Sequence, residues 1–168
     1  MLSERTCDAK NHERNIMVVE DDKDLNEHIC QKLAQRGFQP QAVFNGTQAL
    51  EHLASAQDLL VLMDYRLPDM TGKELVQEME SRGFQVPYVI MTGADDEDMA
   101  LEMMNMQARD YFIKDLDLPQ LLPRFMERIY AELESESRFY KAEKRLLHNE
   151  RLATMGRIAA GLAHEMNT

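Results

Sequence analysis

Four short apolar runs of the chain end on polar side chains that could do chemistry: Glu20 with Asp21, then Asp64, Thr92 and Lys114. Carboxylates that lie within a few ångströms repel one another. A divalent cation such as Mg²⁺ relieves this repulsion and keeps positions for phosphate oxygens. One carboxylate can then attack phosphorus, while a lysine ammonium and a threonine hydroxyl bind the remaining phosphoryl oxygens. The residue types therefore suit phosphoryl transfer to an aspartate, provided that the fold brings them together.

The apolar runs also predict the elements that would position these side chains. Five runs, of which the second is weaker, are mostly apolar and do not alternate with period two, which is typical of strands buried on both faces of a sheet: 16–19, 41–44, 59–63, 86–91 and 110–113. Apolar residues at helical spacing separate the runs, including a helix predicted around residues 99–104. This alternation predicts an α/β fold, a doubly wound sheet of five parallel strands. Because ligands bind at the carboxyl ends of such strands, the polar side chains would meet at one edge.

Each polar group also has a purely structural interpretation. Acids that follow a strand, as at residues 20–22, are favoured as helix caps. A lysine after a strand, as at Lys114, is ordinarily solvated, and Cys30 fits a small buried hydrophobic residue. The placement of polar groups at four strand ends favours one joint site over separate structural roles.

Composition limits the classes of partner. The 168 residues include 30 acids and 19 bases, a formal charge of -11, which argues against nucleic acid or an anionic membrane as partner of the whole chain. No apolar run approaches the roughly 20 residues of a membrane span, and the start of the chain lacks the apolar segment of a secretory signal. Cys7 and Cys30 have neither metal-site spacing nor the number for a disulfide framework, so a reduced, cytoplasmic setting is expected.

Residues 15 to about 130 resemble the CheY-like receiver domain of response regulators in two-component signalling. The stretches VVEDD, LVLMDYRLPDMTG, VIMTG and DYFIKD carry this resemblance. It implies a flavodoxin-like fold in which Asp64 is the phosphoacceptor. It further implies that Asp21, Asp64 and the backbone carbonyl of Arg66 bind Mg²⁺, and that Glu20 acts on the ion through water.

The resemblance also assigns roles to the remaining polar residues. Lys114 and Thr92 would bind the phosphoryl group. Thr92 and Tyr111 would form a switch, in which the hydroxyl moves to the phosphoryl group and the ring fills the vacated space. Simple packing of Tyr111 on the sheet is the structural alternative. Asp115 follows Lys114 where the family usually has proline, and Arg66 occupies a variable position two residues after the phosphoacceptor.

From Leu118 onward the chain has a helical pattern. The last receiver helix would bury an apolar face formed by Leu118, Leu121, Leu122, Phe125, Ile129 and Leu133. Two seams with heptad spacing follow, out of phase through a shift near residue 150: Phe139, Ala142 and Leu146, then Leu152, Met155, Ala159, Leu162 and Met166. One helix cannot bury such stripes alone, so a coiled-coil homodimer is expected.

The last stretch, ERLATMGRIAAGLAHEMNT, resembles the H-box that begins the dimerisation and phosphotransfer domain of histidine kinases. The resemblance implies that His164 is a second phosphoacceptor in a full-length kinase and that Glu165 accepts the imidazole proton. By spacing alone, His164 falls on the outward face of the helix, where a solvated surface histidine is the structural alternative.

The motifs divide the chain into a flexible tail (1–14), a receiver domain (15–133), a helical linker (134–151) and the start of a kinase phosphoacceptor helix (152–168). We expect an N-terminal part of a hybrid sensor histidine kinase and response regulator. The sequence holds no glycine-rich ATP-lid segment. The chain by itself would therefore not be an enzyme beyond Mg²⁺-dependent self-phosphorylation of its receiver. Its phosphate would come from a phosphodonor histidine protein or kinase.

Three hypotheses compete for the role of the chain. In the first, Asp64 accepts phosphate and the continuous helix transmits that state to a kinase core. In the second, chemistry at His164 is the main activity and the receiver is an internal phosphate sink. In the third, the chain is a stand-alone response regulator with a coiled-coil dimerisation output. DNA binding is disfavoured because residues 119–168 hold 8 bases against 7 acids and no recognition helix. Stimulus, phosphodonor, downstream partner and direction of the response stay open.

Overall fold

The computed structural model describes residues 14–56, 58–93 and 106–166. Within these ranges the chain forms, in order, β1 (Asn15–Val19), α1 (Lys23–Ala34), β2 (Gln39–Val43), α2 (Gly46–Leu53), β3 (Leu60–Asp64), α3 (Gly72–Ser81), β4 (Tyr88–Thr92), β5 (Tyr111–Ile113) and α4 (Leu118–Met166). The predicted strands are confirmed, with ends that differ from the apolar runs by a residue or two. The helix predicted around residues 99–104 and most of the N-terminal tail lie outside the described residues.

The strands form one parallel sheet in the order β2-β1-β3-β4-β5. Val19 lies opposite both Val43 and Met63, and Asp64 lies opposite Met91. The strand order reverses at the neighbours β1 and β3, and in doubly wound sheets ligands bind in the crevice outside the carboxyl ends at such a reversal. The predicted five-stranded parallel α/β fold is therefore confirmed.

Burial explains the lack of alternation in the central strands β1, β3 and β4, but the prediction of burial on both faces is wrong for the edge strands, since β2 is buried only at Val43 and β5 only at Phe112. Strands β3 and β4 are buried at every residue, and β1 is buried from its second residue onward. The first three helices each bury one stripe: Ile29 and Leu33, then Ala49, Leu50 and Leu53, then Leu75, Val76 and Met79. Side-chain caps at Asp22, Asn45 and Thr71 fix where these helices begin. Glycines with positive φ, Gly37 (81°) and Gly83 (76°), follow the ends of α1 and α3.

Helix α4 is continuous from Leu118 to Met166. Leu118, Leu122 and Met126 are buried, whereas Leu121, expected on the same face, is 44% exposed. The buried residues follow an i, i+4 row, and Leu121 lies about 100° away from Leu122 around the helix, which carries it off that row. From residue 135 to residue 166 every residue is exposed.

The boundary between two compact units of the chain falls within α4, between Met126 and Glu127. The predicted end of the receiver domain at residue 133 lies slightly beyond it. No helix among the described residues combines the length and apolar character needed to cross a membrane.

Candidate functional site

The sheet brings the predicted polar side chains to its carboxyl edge. Asp64 ends β3 and Thr92 ends β4, while Glu20 and Asp21 follow β1 and Lys114 follows β5. The backbone N–H of Lys114 donates to the Thr92 carbonyl at 2.7 Å, which anchors the end of β5 against β4. Because β4 separates β5 from β3, the long side chain of Lys114 has to reach across one strand to meet Asp64.

Lys114 joins two buried carboxylates. Its Nζ lies 2.6 Å from Asp64 Oδ2 and 2.6 Å from Glu20 Oε2. The Glu20 and Asp64 side chains are 1% and 9% exposed, against 21% for Lys114. Burying a charge costs free energy unless it is paired, so one ammonium stabilises two carboxylates here. With Asp21 included, three carboxylates face one ammonium, a formal local charge of 1 − 3 = −2.

The electrostatics of the two ends of this bridge differ. Burial raises the pKa of Glu20, and the charge of Asp64 adds to the rise, although contacts with Lys114 and the N–H of Asp22 oppose it. Burial alone would lower the pKa of Lys114, but its bonds to Asp64 and Glu20 outweigh burial and raise that pKa above its ordinary value. The charged form of Lys114 is therefore favoured, whereas burial disfavours the ionised form of Glu20.

Three of the acids are arranged as oxygen donors to one cation. Glu20, Asp21 and Asp64 each offer a carboxylate oxygen, and these atoms lie within 4.8 Å of one another. The buried Oε2 of Glu20 has no hydrogen bond of ordinary angular geometry in the described part of the chain, although Lys114 Nζ is close to it. Hard divalent cations prefer such oxygens. The residues present therefore fit the Mg²⁺ that the resemblance implies.

The acidic run after β1 divides between two roles. The Asp22 carboxylate accepts from the backbone N–H groups of Asp24 and Leu25 at 3.0 and 3.1 Å and caps α1. Glu20 instead turns its carboxylate to Lys114, and exposed Asp21 offers an oxygen to the acidic cluster. The helix-cap interpretation thus describes Asp22, and the other two acids lie where a cation can be bound.

Thr92 and Tyr111 each have a backbone acceptor. The Thr92 hydroxyl, in a residue 9% exposed, donates to the Gly93 carbonyl at 3.3 Å. The partly buried ring of Tyr111 packs against the core, and its hydroxyl donates to the Met106 carbonyl at 2.9 Å. Burial raises the pKa of the Tyr111 phenol. Tyr111 therefore makes the packing contacts of the structural alternative, and its role as a switch stays a prediction.

A tight loop holds the backbone that follows Asp64. The N–H of Arg66 donates to Asp64 Oδ1 at 3.3 Å, and Arg66 pairs with Thr71 in an antiparallel bridge. The N–H of Gly72 donates to the Tyr65 carbonyl at 2.6 Å. A Cβ atom at position 72 would lie 3.2 Å from the Cα of Tyr65, so a larger residue would need the neighbouring backbone to shift by a few tenths of an ångström. The loop thereby holds the backbone of Arg66 beside the carboxylate of Asp64.

The residue after Lys114 begins the approach to α4. Asp115 Oδ1 accepts from the N–H of Asp117 at 3.1 Å, and its carbonyl accepts from the N–H of Leu118 at 3.2 Å. No cis peptide bond occurs among the described residues, which include this one. Asp115 therefore forms a side-chain turn where the family usually has proline.

Asn26 organises the first acidic loop, although the sequence analysis did not select it. The residue is fully buried, and its Nδ2 lies 3.3, 2.9 and 3.0 Å from the carbonyls of Val18, Glu20 and Val43. Its Oδ1 accepts from the Cys30 thiol at 3.3 Å, and burial raises the pKa of that thiol to about 11. One amide thus ties the end of β1 and the acidic loop to β2.

Asp69 organises the second loop in a similar way. Its Oδ1 accepts from the N–H of Gly46 at 2.8 Å, and its Oδ2 accepts from the N–H and hydroxyl of Thr47 at 2.8 and 2.7 Å. Slight burial raises the pKa of Asp69, but the hydrogen bonds lower this pKa by more than burial raises it. The pKa of the carboxyl group therefore lies below its ordinary value. The carboxylate also lies at a helix N-terminus, where negative charge is stabilised. The loop after Asp64 is thereby fastened to α2.

The sequence offers a signal for one of these two residues. Asn26 stands three and seven positions before Ile29 and Leu33, so a polar residue interrupts the buried stripe of α1. Asp69 has no comparable signal, because Gly46 and Thr47 are 23 and 22 positions away.

The second predicted phosphoacceptor belongs to a different part of the chain. His164 and Glu165 are exposed residues of α4 and lie in the unit that follows Met126. The acidic cluster and Lys114 belong to the first unit. The roles of His164 and Glu165 stay predictions.

Fold and site together define a doubly wound α/β protein with an acidic acceptor site at the carboxyl edge of its sheet. A model of the response regulator receiver domain family matches residues 16–125. The chain therefore belongs to the response regulator receiver family, and the receiver predicted from the sequence is confirmed. Receiver domains of this family accept phosphoryl groups from histidine kinases in two-component signalling.

Curated relatives share this part of the chain. The chain is 33% identical over 106 residues to the regulatory protein AtoC of Escherichia coli, covering 63% of this chain and 23% of that protein. It is 28% identical over 139 residues to the transcriptional regulatory protein DltR of Streptococcus agalactiae, covering 83% of this chain and 60% of that protein. The chain thus spans less than two thirds of either relative.

Solved structures support the same fold. The signal receiver domain of a signal transduction histidine kinase from Syntrophus aciditrophicus superposes with a TM-score of 0.64 at 23% identity, covering 71% of this chain and 91% of that one. A two-component response regulator from Clostridium difficile gives a TM-score of 0.64 at 24% identity, covering 72% and 98%. At these identities the similarity establishes the fold.

Proposed function

We propose that Asp64 accepts the phosphoryl group with Mg²⁺ as cofactor, and that α4 passes the resulting state to a histidine kinase core. The main support for Asp64 as the phosphoacceptor is the position of Lys114 Nζ, which lies 2.6 Å from both Asp64 Oδ2 and Glu20 Oε2. A carboxylate oxygen of Asp21 completes the group. A nucleophilic carboxylate in that position has an ammonium and two further acids within reach, which is the set that phosphoryl transfer to aspartate requires.

In the proposed reaction an oxygen of Asp64 attacks the phosphorus of a phosphohistidine. A P–O bond forms as the P–N bond breaks, and the electron pair returns to the imidazole, which takes up a proton. Mg²⁺ held by Asp21, Asp64 and the Arg66 carbonyl, with Glu20 acting through water, would neutralise charge on the phosphoryl oxygens. Lys114 exchanges its contact with Asp64 Oδ2 for a phosphoryl oxygen and stays paired with Glu20, so its charge remains compensated.

The proposed switch follows from competition between acceptors. The Thr92 hydroxyl donates at 3.3 Å to a neutral carbonyl, that of Gly93. A phosphoryl dianion on Asp64 is a stronger acceptor, so the hydroxyl turns to it. Tyr111 then exchanges its bond to the Met106 carbonyl for the space that Thr92 leaves. A charge added at Asp64 would thereby bias a two-state element.

The H-box resemblance supports a kinase as the output. His164 and Glu165 are exposed on the same continuous helix that begins at Leu118. In this proposal His164 receives phosphate from ATP only in a longer protein that supplies an ATP-binding domain. The exposed apolar seams of α4 support a homodimer through this helix.

A stand-alone response regulator with a coiled-coil output is the second candidate. The similarity to DltR favours it, since that protein is a transcriptional regulator by name and matches 83% of this chain. The two candidates differ at His164. Acid-labile phosphate on His164, after incubation of the protein isolated from its own cells with ATP and Mg²⁺, would support the kinase. No phosphate on His164 from ATP, in a protein whose Asp64 still accepts phosphate from acetyl phosphate, would support the stand-alone regulator.

Intact mass spectrometry tests the phosphoacceptor. After incubation with acetyl phosphate and Mg²⁺, the protein should gain one adduct of about 80 Da, the mass of one HPO₃ group. Asp64→Asn and removal of Mg²⁺ with EDTA should each abolish the adduct. Asp58→Asn, an exposed acid before β3, is the matched control and should keep it. An adduct that persists in Asp64→Asn would contradict the assignment.

A further inference from the structure

Residues 138–153 of α4 carry apolar and charged side chains in a regular pattern. We call Phe139, Ala142, Leu146, Asn149 and Ala153 the linker seam, because they recur at alternating intervals of three and four residues. All are exposed, and Phe139 and Leu146 are 73% and 66% exposed. Spacing of this kind places the seam on one stripe of the helix, as at the core positions of a coiled coil.

Charged residues flank the linker seam with one sign on each side. Arg138 and Arg145 stand directly before Phe139 and Leu146. Glu143 and Glu150 stand directly after Ala142 and Asn149. These are the positions beside a coiled-coil core whose side chains contact the neighbouring helix. One edge of the seam is therefore basic and the other acidic.

Contacts within the helix account for only one of these four charges, that of Arg138. Oppositely charged residues stabilise a helix when they lie three or four positions apart. At those distances from Glu143 and Glu150 the sequence has only phenylalanine, tyrosine, leucine, alanine and threonine, and around Arg145 it has lysine, alanine, histidine and asparagine. Arg138 has Glu134 four positions away, to whose backbone carbonyl its Nε donates at 3.4 Å.

We propose that residues 138–153 of two copies form a parallel, in-register coiled coil held in that orientation by arginine–glutamate pairs between chains. In this arrangement the residue before one core position faces the residue five positions later on the other helix. Arg138 then meets Glu143 of the partner subunit, and Arg145 meets Glu150 of the partner subunit. Twofold symmetry repeats both pairs. An antiparallel pair would bring arginine to arginine and glutamate to glutamate.

Asn149 adds a preference for register. In register, the two Asn149 amides face each other in the core and satisfy one another by hydrogen bonds. A slip by one heptad would place each amide against Ala142 or Gly156 of the partner subunit, where no side chain can pair with it. A polar residue at one core position is a known means of selecting register in coiled coils.

The second seam, from Leu152 to Met166, carries no comparable pattern. The residues beside it that would face each other in a parallel pair are Arg151 with Gly156 and Ile158 with Ala163. Apolar area can drive association there without choosing a direction. The linker seam therefore determines the orientation of the two helices. The parallel orientation puts both copies of His164 at the same end of the coiled coil. This inference rests on the homodimer of the proposed function and adds its direction and register.

Charge reversal tests the pairs. An acidic variant (Arg138→Glu with Arg145→Glu) and a basic variant (Glu143→Arg with Glu150→Arg) each turn four attractions into repulsions. Each alone should weaken dimerisation at least about tenfold in analytical ultracentrifugation. An equimolar mixture should restore the association. The control, Lys141→Glu with Lys144→Glu, makes the same charge change as the acidic variant on the outward face and should leave dimerisation within about twofold. Equal weakening in the control would overturn the pairing.

Cysteine cross-linking tests orientation. In a Cys7→Ser and Cys30→Ser background, Ala142→Cys and Asn149→Cys should each form a disulfide with the same position of the partner subunit. An antiparallel pair can bring at most one position opposite itself, since the two sites lie about 10 Å apart along the helix. Lys144→Cys, on the outward face, should not cross-link. Failure of either core cysteine to cross-link would overturn the parallel register.

The phosphoacceptor assay separates failure of this inference from failure of the proposed function. The acidic and basic variants change residues of the second unit only, so both should still gain the adduct of about 80 Da on Asp64. A retained adduct with unaltered dimerisation would refute the arginine–glutamate pairs and leave the acceptor site standing. Circular dichroism of each variant would confirm that α4 is still helical.

Discussion

The carboxyl edge of the sheet and the exposed length of α4 place side chains in opposite kinds of unfavourable surroundings: the first buries charged groups, and the second exposes apolar ones. At the edge, charge has been withdrawn from water, with Glu20 1% exposed and the Asp64 side chain 9% exposed. Along α4, apolar surface has been left in water, with Phe139 and Leu146 73% and 66% exposed. Both situations raise the free energy of the folded chain.

The difference lies in where the compensating group is found. At the sheet edge the chain supplies its own cation, Lys114, but three carboxylates exceed one ammonium and leave room for a second cation. Beyond residue 135 of α4 every described residue is exposed, so the described part of the chain does not cover these apolar side chains. This contrast is consistent with the proposed phosphoryl transfer at the sheet edge and the proposed association between chains along α4.

The largest expected effect is on phosphorylation. Lys114→Met should slow the gain of the acetyl phosphate adduct by about 100-fold or more, because loss of one preorganised donor to a developing charge costs that much. The initial rate at saturating Mg²⁺ measures it. Lys73→Met, a change at an exposed lysine of α3, should leave the rate unaltered. An unchanged rate in Lys114→Met would remove Lys114 from the acceptor site.

Asn26→Leu should lower the free energy of unfolding by about 2 kcal/mol, because the buried carbonyls of Val18, Glu20 and Val43 lose a donor at nearly constant volume. Urea denaturation near neutral pH measures the change. Gln31→Leu on the exposed side of the same helix should shift it by less than about 0.5 kcal/mol. Equal shifts in the two variants would show that Asn26 does not organise the loop.

Added Mg²⁺ should stabilise the protein. A site with a Kd of about 1 mM would gain about 1.4 kcal/mol at 10 mM Mg²⁺. The raised pKa of Glu20 means that folding loses stability as pH rises from the unfolded to the folded pKa of this group, since the ionised form is disfavoured when buried. The Mg²⁺ effect should therefore be larger near pH 7.5 than near pH 4.5.

Urea denaturation with and without Mg²⁺ at the two pH values measures this effect. Asp21→Asn should reduce it, while Asp58→Asn should not. Equal stabilisation of the wild type, Asp21→Asn and Asp58→Asn would indicate a general salt effect in place of a site.

Asp69→Asn should cost about 1 kcal/mol near neutral pH, a value typical of lost capping interactions at an exposed helix end. The lowered pKa of Asp69 means that its contribution is present above its unfolded pKa and is lost as pH falls through its folded pKa. The stability difference between wild type and variant should therefore narrow below about pH 4. A difference that stays constant in urea titrations across that range would exclude the carboxylate charge as the cause.

The smallest expected effect sharpens the comparison between the two regions. Leu146→Gln should change the free energy of unfolding by less than about 0.5 kcal/mol at concentrations where the protein is monomeric. Leu33→Gln, the same substitution at a fully buried position, should cost more than about 3 kcal/mol. Thermal denaturation of both variants measures the contrast. Comparable losses would mean that Leu146 is covered within one chain.

Much of the fold was predictable because its signals are local. Strands β3 and β4 are apolar at nearly every residue, and helix caps such as Asp22 and Thr71 lie within three residues of the groups they bind. The buried face of α4 was predicted less well, since Leu121 has the right spacing but lies off the row that the core covers. Polarity and spacing do not reveal which of two neighbouring rows of helix side chains packs against the core.

The candidate site was predictable as a set of residue types, and less so as a set of contacts. Residue type alone did not separate Glu20, Asp21 and Asp22, and only the family resemblance selected the first two; in the structure Asp22 caps α1 while Glu20 and Asp21 join the acidic cluster. The anchoring roles of Asn26 and Asp69 were missed because their partners lie on other elements.

The sequence by itself determined the alternation of strands and helices, the polar groups at strand ends and the charge pattern beside the linker seam. Each of these depends on residues within a few positions of one another and on the period of helix or strand. The tertiary structure decided that Lys114 bridges Glu20 and Asp64, since Lys114 and Asp64 are 50 positions apart. Only the parallel sheet brings such distant groups within 3 Å, because contacts between elements follow strand order and not sequence spacing.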